Sequence, residues 1–380
     1  MIRNFASVLV ATCVFGAIAS AKEAKVQTLT KVKLVFIEAL DPKDTTSSQR
    51  FQQEYESAIA KGKELTAQKL KSCGFEVSPT ASFYGASDPI QAKEQAEKSV
   101  KDGAWMIVGP RRSNHYLLLA KGALNVPSVS LMASSDEVSS LGDLHLSLVP
   151  PNSVMAQNAA DEAAARTKAK PSNSYVSIIS ADCLACKDFA KHFDARASTI
   201  GLKKSTEISV IGDAPEMAPI ISELSKHKPS FILLPNYSIV TSHLISAIHT
   251  ALPGAFFVGG DGWGNSRFGF VQNREDIGSA KGFTVRGNPS IEEALKTFSI
   301  GREILKAVQA DTYGSSSALA ILRVFDSTAQ LLCESKPKNS SEFVAGFKKA
   351  GRKLFSAPWG TSVYNLDNGN ITFLKTRGVL

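Results

Sequence analysis

Past its first two dozen residues, the chain has no apolar run approaching the roughly 20 residues a membrane-spanning helix needs. It also lacks the short motifs of several common chemistries. The 6 histidines show no H-E-x-x-H spacing, and neither G-x-S-x-G nor the P-loop pattern occurs. No carboxylate pair is singled out by its context. Basic charge is plentiful but dispersed: no five like charges run together, and no basic stretch alternates with aromatics. The net charge of +8, or +7 once Arg3 is removed with a leader, therefore reads as a solvated surface and not as a nucleic-acid or membrane footprint. Low-complexity segments are absent. What remains is an ordinary globular composition, 43% hydrophobic and 21% charged, in 380 residues that suit two domains.

The N-terminus reads as an export leader. Arg3 gives a positive start, residues 5–18 form a short apolar core, and Ala19-Ser20-Ala21 is an A-x-A cleavage site. Residues 1–21 are thus expected to be a signal peptide, with the mature chain beginning at Lys22. Cys13 makes a poor lipoprotein anchor, because Thr12 precedes it and the apolar run continues past it.

From residue 32 onward, short apolar runs alternate with amphipathic helical stretches. Strands are expected at 32–37, 76–83, 105–108, 126–132 and 144–149, with helices near 48–72, 89–101 and 114–121 between them. After Val149-Pro150-Pro151, a stiff extended joint, the alternation restarts. It runs through strands at 175–179, 206–211, 231–234 and 256–258, with helices near 154–166, 187–200, 216–225 and 239–251. Such alternation builds right-handed βαβ units on a mostly parallel sheet. The pattern changes near 283–289. Helical stretches follow at 291–310, 316–335 and 341–350, then a hairpin of 361–364 and 371–375 turned at Asp367-Asn368-Gly369.

Residues 105–138 are the most informative segment. Two buried-strand runs end in loops of small hydroxyl and amide residues, and each loop opens into a helix. In parallel sheets, ligands sit outside the carboxyl ends of the strands, where free backbone N–H groups gather. Ser113 and Asn114 occupy that place once, and Ala133 with Ser134 occupy it again. The plainer alternatives are a helix N-cap at Ser113 or Asn114 and a capping box from Ser134 to Glu137. Arg111-Arg112 beside Ser113 could hold a second carboxylate or a phosphate, or simply face solvent.

Four cysteines remain after the leader: Cys73, Cys183, Cys186 and Cys333. An even number in an exported chain allows two disulfides, in any of three pairings; Cys183 with Cys186 is the local pair, and Cys73 with Cys333 the long-range one. Cys183-Leu184-Ala185-Cys186 enters a helix, the placement of a thiol–disulfide oxidoreductase. The chain is far too long for a small redox domain, so a structural bridge is the expectation.

The GPRRSN and LMASSDEV loops, with the export leader and the paired α/β series, resemble the type I periplasmic binding proteins, the solute receptors of the leucine/isoleucine/valine-binding kind. The approach SDPIQAKEQAEKSVKDGAWMIVGP (88–110) resembles the family's lead into its first binding loop, and GGDGWGN (259–265) its acidic loop in the second lobe. The resemblance covers nearly all of the mature chain. It implies an α/β fold of two Rossmann-like lobes with mostly parallel sheets joined by a three-strand hinge. Lobe one would comprise 26–148 plus 286–355, and lobe two 149–285 plus 356–380. It also implies a non-enzymatic, monomeric, periplasmic receptor without cofactor or metal. Such a receptor closes on an amino acid or similar small polar anion and delivers it to an inner-membrane ABC permease.

By residue, the resemblance implies that Ser113, Ala133 and Ser134 hold the ligand carboxylate and Asp261 its ammonium. Tyr55, Tyr237 and Trp263 would wall the cleft. Two departures weigh against an ordinary branched aliphatic ligand: Cys-Leu-Ala-Cys stands where relatives place an aromatic contact, and Arg112 adds a cation. The rival readings are the same fold used as a ligand sensor or protein-interaction subunit without transport, and a C-x-x-C oxidoreductase.

Overall fold

The computed structural model describes residues 28–40, 45–170, 172–212, 214–263, 277, 279–287, 316–367 and 370–377. The leader at 1–21, the helix expected at 291–310 and the Asn368-Gly369 turn lie outside them.

The first sheet contains β1 (Thr30–Leu40), β2 (Phe75–Gly85), β3 (Met106–Val108), β4 (Ser128–Ser130) and β5 (His145–Ser147). Their order is β2-β1-β3-β4-β5, and every pair is parallel. The connecting helices are α1 (Thr45–Ser72), α2 (Ile90–Lys101), α3 (Ser113–Ala123) and the short α4 (Asp136–Ser139). All residues of β3 and β4 are buried, as expected for strands covered on both faces.

The second sheet contains β6 (Ser174–Ser180), β7 (Lys203–Val210), β8 (Phe231–Leu234), β9 (Phe256–Gly259), β10 (Lys281–Arg286), β11 (Thr361–Asp367) and β12 (Asn370–Arg377). Its order is β12-β11-β10-β9-β8-β6-β7. Pairing is parallel from β7 to β10 and antiparallel at β11 and β12. Helices α5 (Asn152–Thr167), α6 (Leu184–Thr199), α7 (Met217–His227) and α8 (Ser238–Ala251) serve this sheet.

Two further helices, α9 (Ser316–Ser335) and α10 (Ser340–Phe355), return to the first sheet. Ile321, Val324 and Phe325 of α9, with Phe343 and Phe347 of α10, share a core with Leu34, Phe36 and Val108. The chain therefore passes between the lobes three times: from β5 to α5, from β10 to α9, and from α10 to β11. Two passages touch, because a Cβ on Gly287 would lie 2.6 Å from Pro150 and 2.7 Å from Val149.

Boundaries differ from the sequence reading for identifiable reasons. Helix α10 starts at Ser340, where the Asn339 side chain accepts from the Glu342 N–H at 3.0 Å, and it outlasts residue 350 because Leu354 and Phe355 extend its buried face. Strand β10 lies where only a change of pattern was read. Its last residue, Arg286, pairs with Ser362 in the second sheet, although the boundary expected from the resemblance put 286 in lobe one.

Both disulfides pair locally and at long range as named above: Cys183–Cys186 at the start of α6, and Cys73–Cys333 between the end of α1 and α9. The long-range bridge closes a separation of 260 residues, so loop entropy favours it strongly, while a separation of 3 restrains the unfolded chain little. Replacing Cys73 and Cys333 by Ser is expected to lower unfolding free energy by about 4–5 kcal/mol, against about 2 kcal/mol for Cys183 and Cys186. Denaturant titration of the two double variants checks this ranking.

Candidate functional site

The site begins with a buried hydroxyl. Ser130, the last residue of β4, is fully buried. Its Oγ donates to the Pro110 carbonyl at 2.8 Å and accepts from the N–H groups of Ala133 (2.9 Å) and Met132 (3.3 Å). One side chain thus joins the loop after β3 to the loop after β4. A second hydroxyl repeats the tie, since Ser113 Oγ accepts from the Ser135 N–H at 3.2 Å. The first loop is further anchored by Arg111, whose Nε donates to the buried Glu38 carboxylate at 3.1 Å while its guanidinium lies 4.0 Å from the Phe51 ring centroid. At Gly109, φ is +92°, and a Cβ would run into the Ile37 carbonyl, so glycine is required there.

These bonds revise several sequence expectations. The cap of α3 is Arg112, without a side-chain bond, so Ser113 is committed to Ser135 and does not cap its own helix. Helix α4 is capped by Ser135, accepting from the Glu137 N–H, and the Ser134–Glu137 capping box is not formed. Ala133 spends its N–H on Ser130. Asn114 is exposed on α3. Arg111 is held by Glu38, whereas Arg112 is exposed and has no ion pair among the described residues.

The opposite wall comes from the second sheet. Asn236, fully buried after β8, accepts from the Ser180 N–H at 2.7 Å and donates to the Ile178 carbonyl at 2.8 Å, which sets the entry to Tyr237. After β9 the chain turns through Gly260, Asp261 and Gly262, and a Cβ on Gly262 would lie 2.7 Å from the Asn236 carbonyl oxygen. Asp261 reaches toward the first lobe, where the Ser134 hydroxyl acts on its carboxylate. Burial nonetheless raises the Asp261 pKa. The Ser134 bond, the Arg286 charge and the N–H groups of Asp261 and Gly262 pull the other way.

Tyr237 feels Asp261 and Asp182 from one lobe and Arg112 and Arg111 from the other. The residue is 43% exposed, while the surrounding protein desolvates the phenol and pushes its pKa up to about 12. Ser134, Asp261, Tyr237 and Arg112 are therefore neighbours in the seam between the sheets' carboxyl ends.

Two expected cleft aromatics are elsewhere. Tyr55 is 2% exposed and packs in the lobe-one core against Phe36, Phe51 and Phe83. Trp263 is fully buried in lobe two and donates from Nε1 to the Leu234 carbonyl at 2.7 Å. Both support the loops of the seam from below, because large apolar rings gain more from complete burial than from lining a wet cleft.

No protein-family model and no curated protein matches the sequence. Solved structures do match in three dimensions. A leucine-binding protein from Thermotoga maritima superposes with a TM-score of 0.70 at 12% identity, over 90% of this chain and 98% of that one. The branched-chain amino acid transporter substrate-binding protein of Streptococcus pneumoniae, in complex with isoleucine, gives 0.68 at 16% identity, over 91% and 100%. An ABC-transporter solute-binding protein from R. palustris, in complex with benzoate, gives 0.70 at 14% identity, over 91% and 96%. The chain has the type I periplasmic-binding-protein fold. At these identities the likeness establishes architecture, so the chemistry of the seam rests on this chain's own side chains.

Sequence reasoning missed the supports of the type I cleft. Beyond Ser130, Glu38 and Asn236, a cluster bridges the lobes beside the first passage. His192 Nε2 lies 2.6 Å from an Asp136 carboxylate oxygen, and the Asp136 N–H donates to Asp188 at 2.8 Å. The Ser153 hydroxyl adds a 2.6 Å bond to Asp136. Asp188 and His192 are four apart on α6, a spacing visible in the sequence, but Asp136 joins them only through the fold.

Two outcomes follow from this packing. Ser130→Ala is expected to cost about 1–3 kcal/mol, because it orphans buried partners in both loops, and urea unfolding measures it. His115 is 1% exposed, bonded to Tyr84 Oη at 2.8 Å, and its pKa is lowered to about 4 by burial and then by Arg112. A depressed histidine stabilises the fold fully above its unfolded pKa of about 6.5, and that contribution is lost as pH falls toward 4. The stability difference between wild type and His115→Gln should therefore shrink by about 3 kcal/mol between pH 7 and pH 4. A pH-independent difference would refute the assignment.

Proposed function

We propose that this protein is an extracytoplasmic solute-binding receptor. Its two lobes close on an amino acid or similar small polar anion, which it delivers to an ABC importer in the inner membrane. One observation carries the reading: Ser134 of the first lobe meets Asp261 of the second where the carboxyl ends of both sheets converge. A hydroxyl donor facing a desolvated carboxylate across a hinge is the arrangement that a small polar ligand would bridge.

Neighbouring structures that carry leucine, isoleucine or benzoate support the same class of ligand. The expected leader at 1–21 supports export, and a ligand handed to a permease needs no catalytic group in the receptor. The oxidoreductase alternative loses support because the Cys183 and Cys186 sulfurs belong to residues only 4% and 2% exposed, out of reach of a partner thiol.

Thermal-shift and calorimetric titration of the mature chain against amino acids and aromatic and aliphatic carboxylic acids tests the reading. At least one ligand should raise the melting temperature, by RT ln(1 + [L]/Kd) in free energy. Ser134→Ala should weaken that ligand by about tenfold. Asp261→Asn should weaken amino acids but spare acids that carry no ammonium group. Silence across the panel would refute the receptor reading.

A further inference from the structure

Strands β9 and β10 run parallel in a fixed register, Lys281 opposite Phe256 and Thr284 opposite Gly259. Beyond that register β9 turns at Gly260 and Asp261 while β10 continues to Arg286, whose charge acts on Asp261 at the carboxyl end of the sheet, where ligands of such folds collect. Arg286 is the last residue of β10 and is only 4% exposed. Its charge acts on Asp261 and on Tyr364, and its guanidinium lies 5.2 Å from the Tyr364 ring centroid. The next residue, Gly287, abuts Val149 and Pro150, so the cation stands at the base of the seam, beside the hinge.

What Arg286 lacks is a partner. Its buried Nε has no hydrogen-bond acceptor, and no carboxylate among the described residues lies within ion-pair distance of it. Asp261 is its electrostatic neighbour but not an ion-pair partner, and the Ser134 hydroxyl and nearby backbone N–H groups also act on that carboxylate. The Tyr364 face offers a cation–π contact, which leaves the planar fork of donors unused. A guanidinium removed from water without an acid is costly, and a planar carboxylate is the group that matches its fork.

We propose that Arg286 is a ligand-binding residue, whose missing partner is the carboxylate of the bound solute. This deepens the receptor reading and rests on it. It also selects the class of ligand. With Arg286 beside Asp261, and Arg112 and Asp182 both near Tyr237, the seam is balanced in charge, and Arg286 is the buried member whose Nε lacks an acceptor. A carboxylate without an ammonium group supplies that acceptor and asks nothing more of Asp261. A zwitterion brings an ammonium group toward a carboxylate that Arg286 already offsets.

The test uses the full mature chain with benzoate and other monocarboxylates as anionic probes and leucine as the zwitterionic one. Wild type is expected to bind a monocarboxylate more tightly than leucine. Arg286→Gln should weaken the monocarboxylate by about 10- to 150-fold, the loss of a charge-assisted hydrogen-bonded pair. The same variant should melt no lower than wild type without ligand, since a buried unpaired charge is removed. A purely structural arginine would give the opposite sign.

Should Arg286→Gln fail to fold, Arg286→Lys keeps the charge and loses the fork, and weakened binding at an unchanged melting temperature then carries the test. A wild type that binds none of the probes refutes the receptor reading and this assignment with it. A wild type that binds monocarboxylates while both variants bind them within about twofold overturns the assignment alone. Preference for leucine over every monocarboxylate overturns it as well.

Discussion

The first wall of the seam depends on a handful of buried serine hydroxyls. Ser130 Oγ takes N–H groups from one loop and gives its proton to the other, and Ser113 Oγ takes the Ser135 N–H. Loops at the end of a sheet leave backbone donors and acceptors that burial would otherwise penalise. Satisfying them with short side chains turns two separate connections into one rigid platform. Ser134 is presented to the second lobe from that platform. Arg111 and Glu38 hold it from beneath, with Tyr55 and Phe51 filling the core below.

The second wall solves the same problem with an amide. Asn236, just after β8, satisfies the Ser180 N–H and the Ile178 carbonyl at the end of β6, Gly262 permits close approach to it, and Trp263 is drawn into the core by its bond to Leu234. Asp261 is left at the rim of this rigid turn, where desolvation raises its pKa and Ser134 and Arg286 oppose the shift. Charge at the seam is thus bought with support on every side but one. Arg286 sits in the same environment without an ion-pair partner among the described residues, and this asymmetry is what sets it apart from Asp261.

Much of the fold was legible along the chain. Alternating apolar runs and amphipathic stretches located the strands of both sheets up to β9, because buried parallel strands must be short and continuous while their covering helices must be two-faced. The resemblance carried by GPRRSN and LMASSDEV foresaw the architecture. Strand β10 was harder, since Lys281 and Gly282 dilute its apolar pattern and its partners β9 and β11 are distant in sequence. The aromatics misled: Tyr55 and Trp263 look like cleft walls by position, yet both are taken into cores, and only Tyr237 keeps an exposed face. The caps misled too, because a hydroxyl with the right spacing for its own helix found a partner in another loop.

The sequence by itself determined the class of fold and the loops at the carboxyl ends of the strands, which follow from local periodicity and loop composition, while the acid at Asp261 was implied by the family resemblance alone. Only the tertiary structure decided which of those residues meet. Ser134 comes near Asp261, Asp136 reaches Asp188 and His192, and the Arg286 charge acts on Asp261, across separations of dozens to more than a hundred residues. Such partnerships are set by register and by three passages between lobes. Burial then assigns their energies, because the same charge that is nearly free at a surface becomes decisive once water is gone.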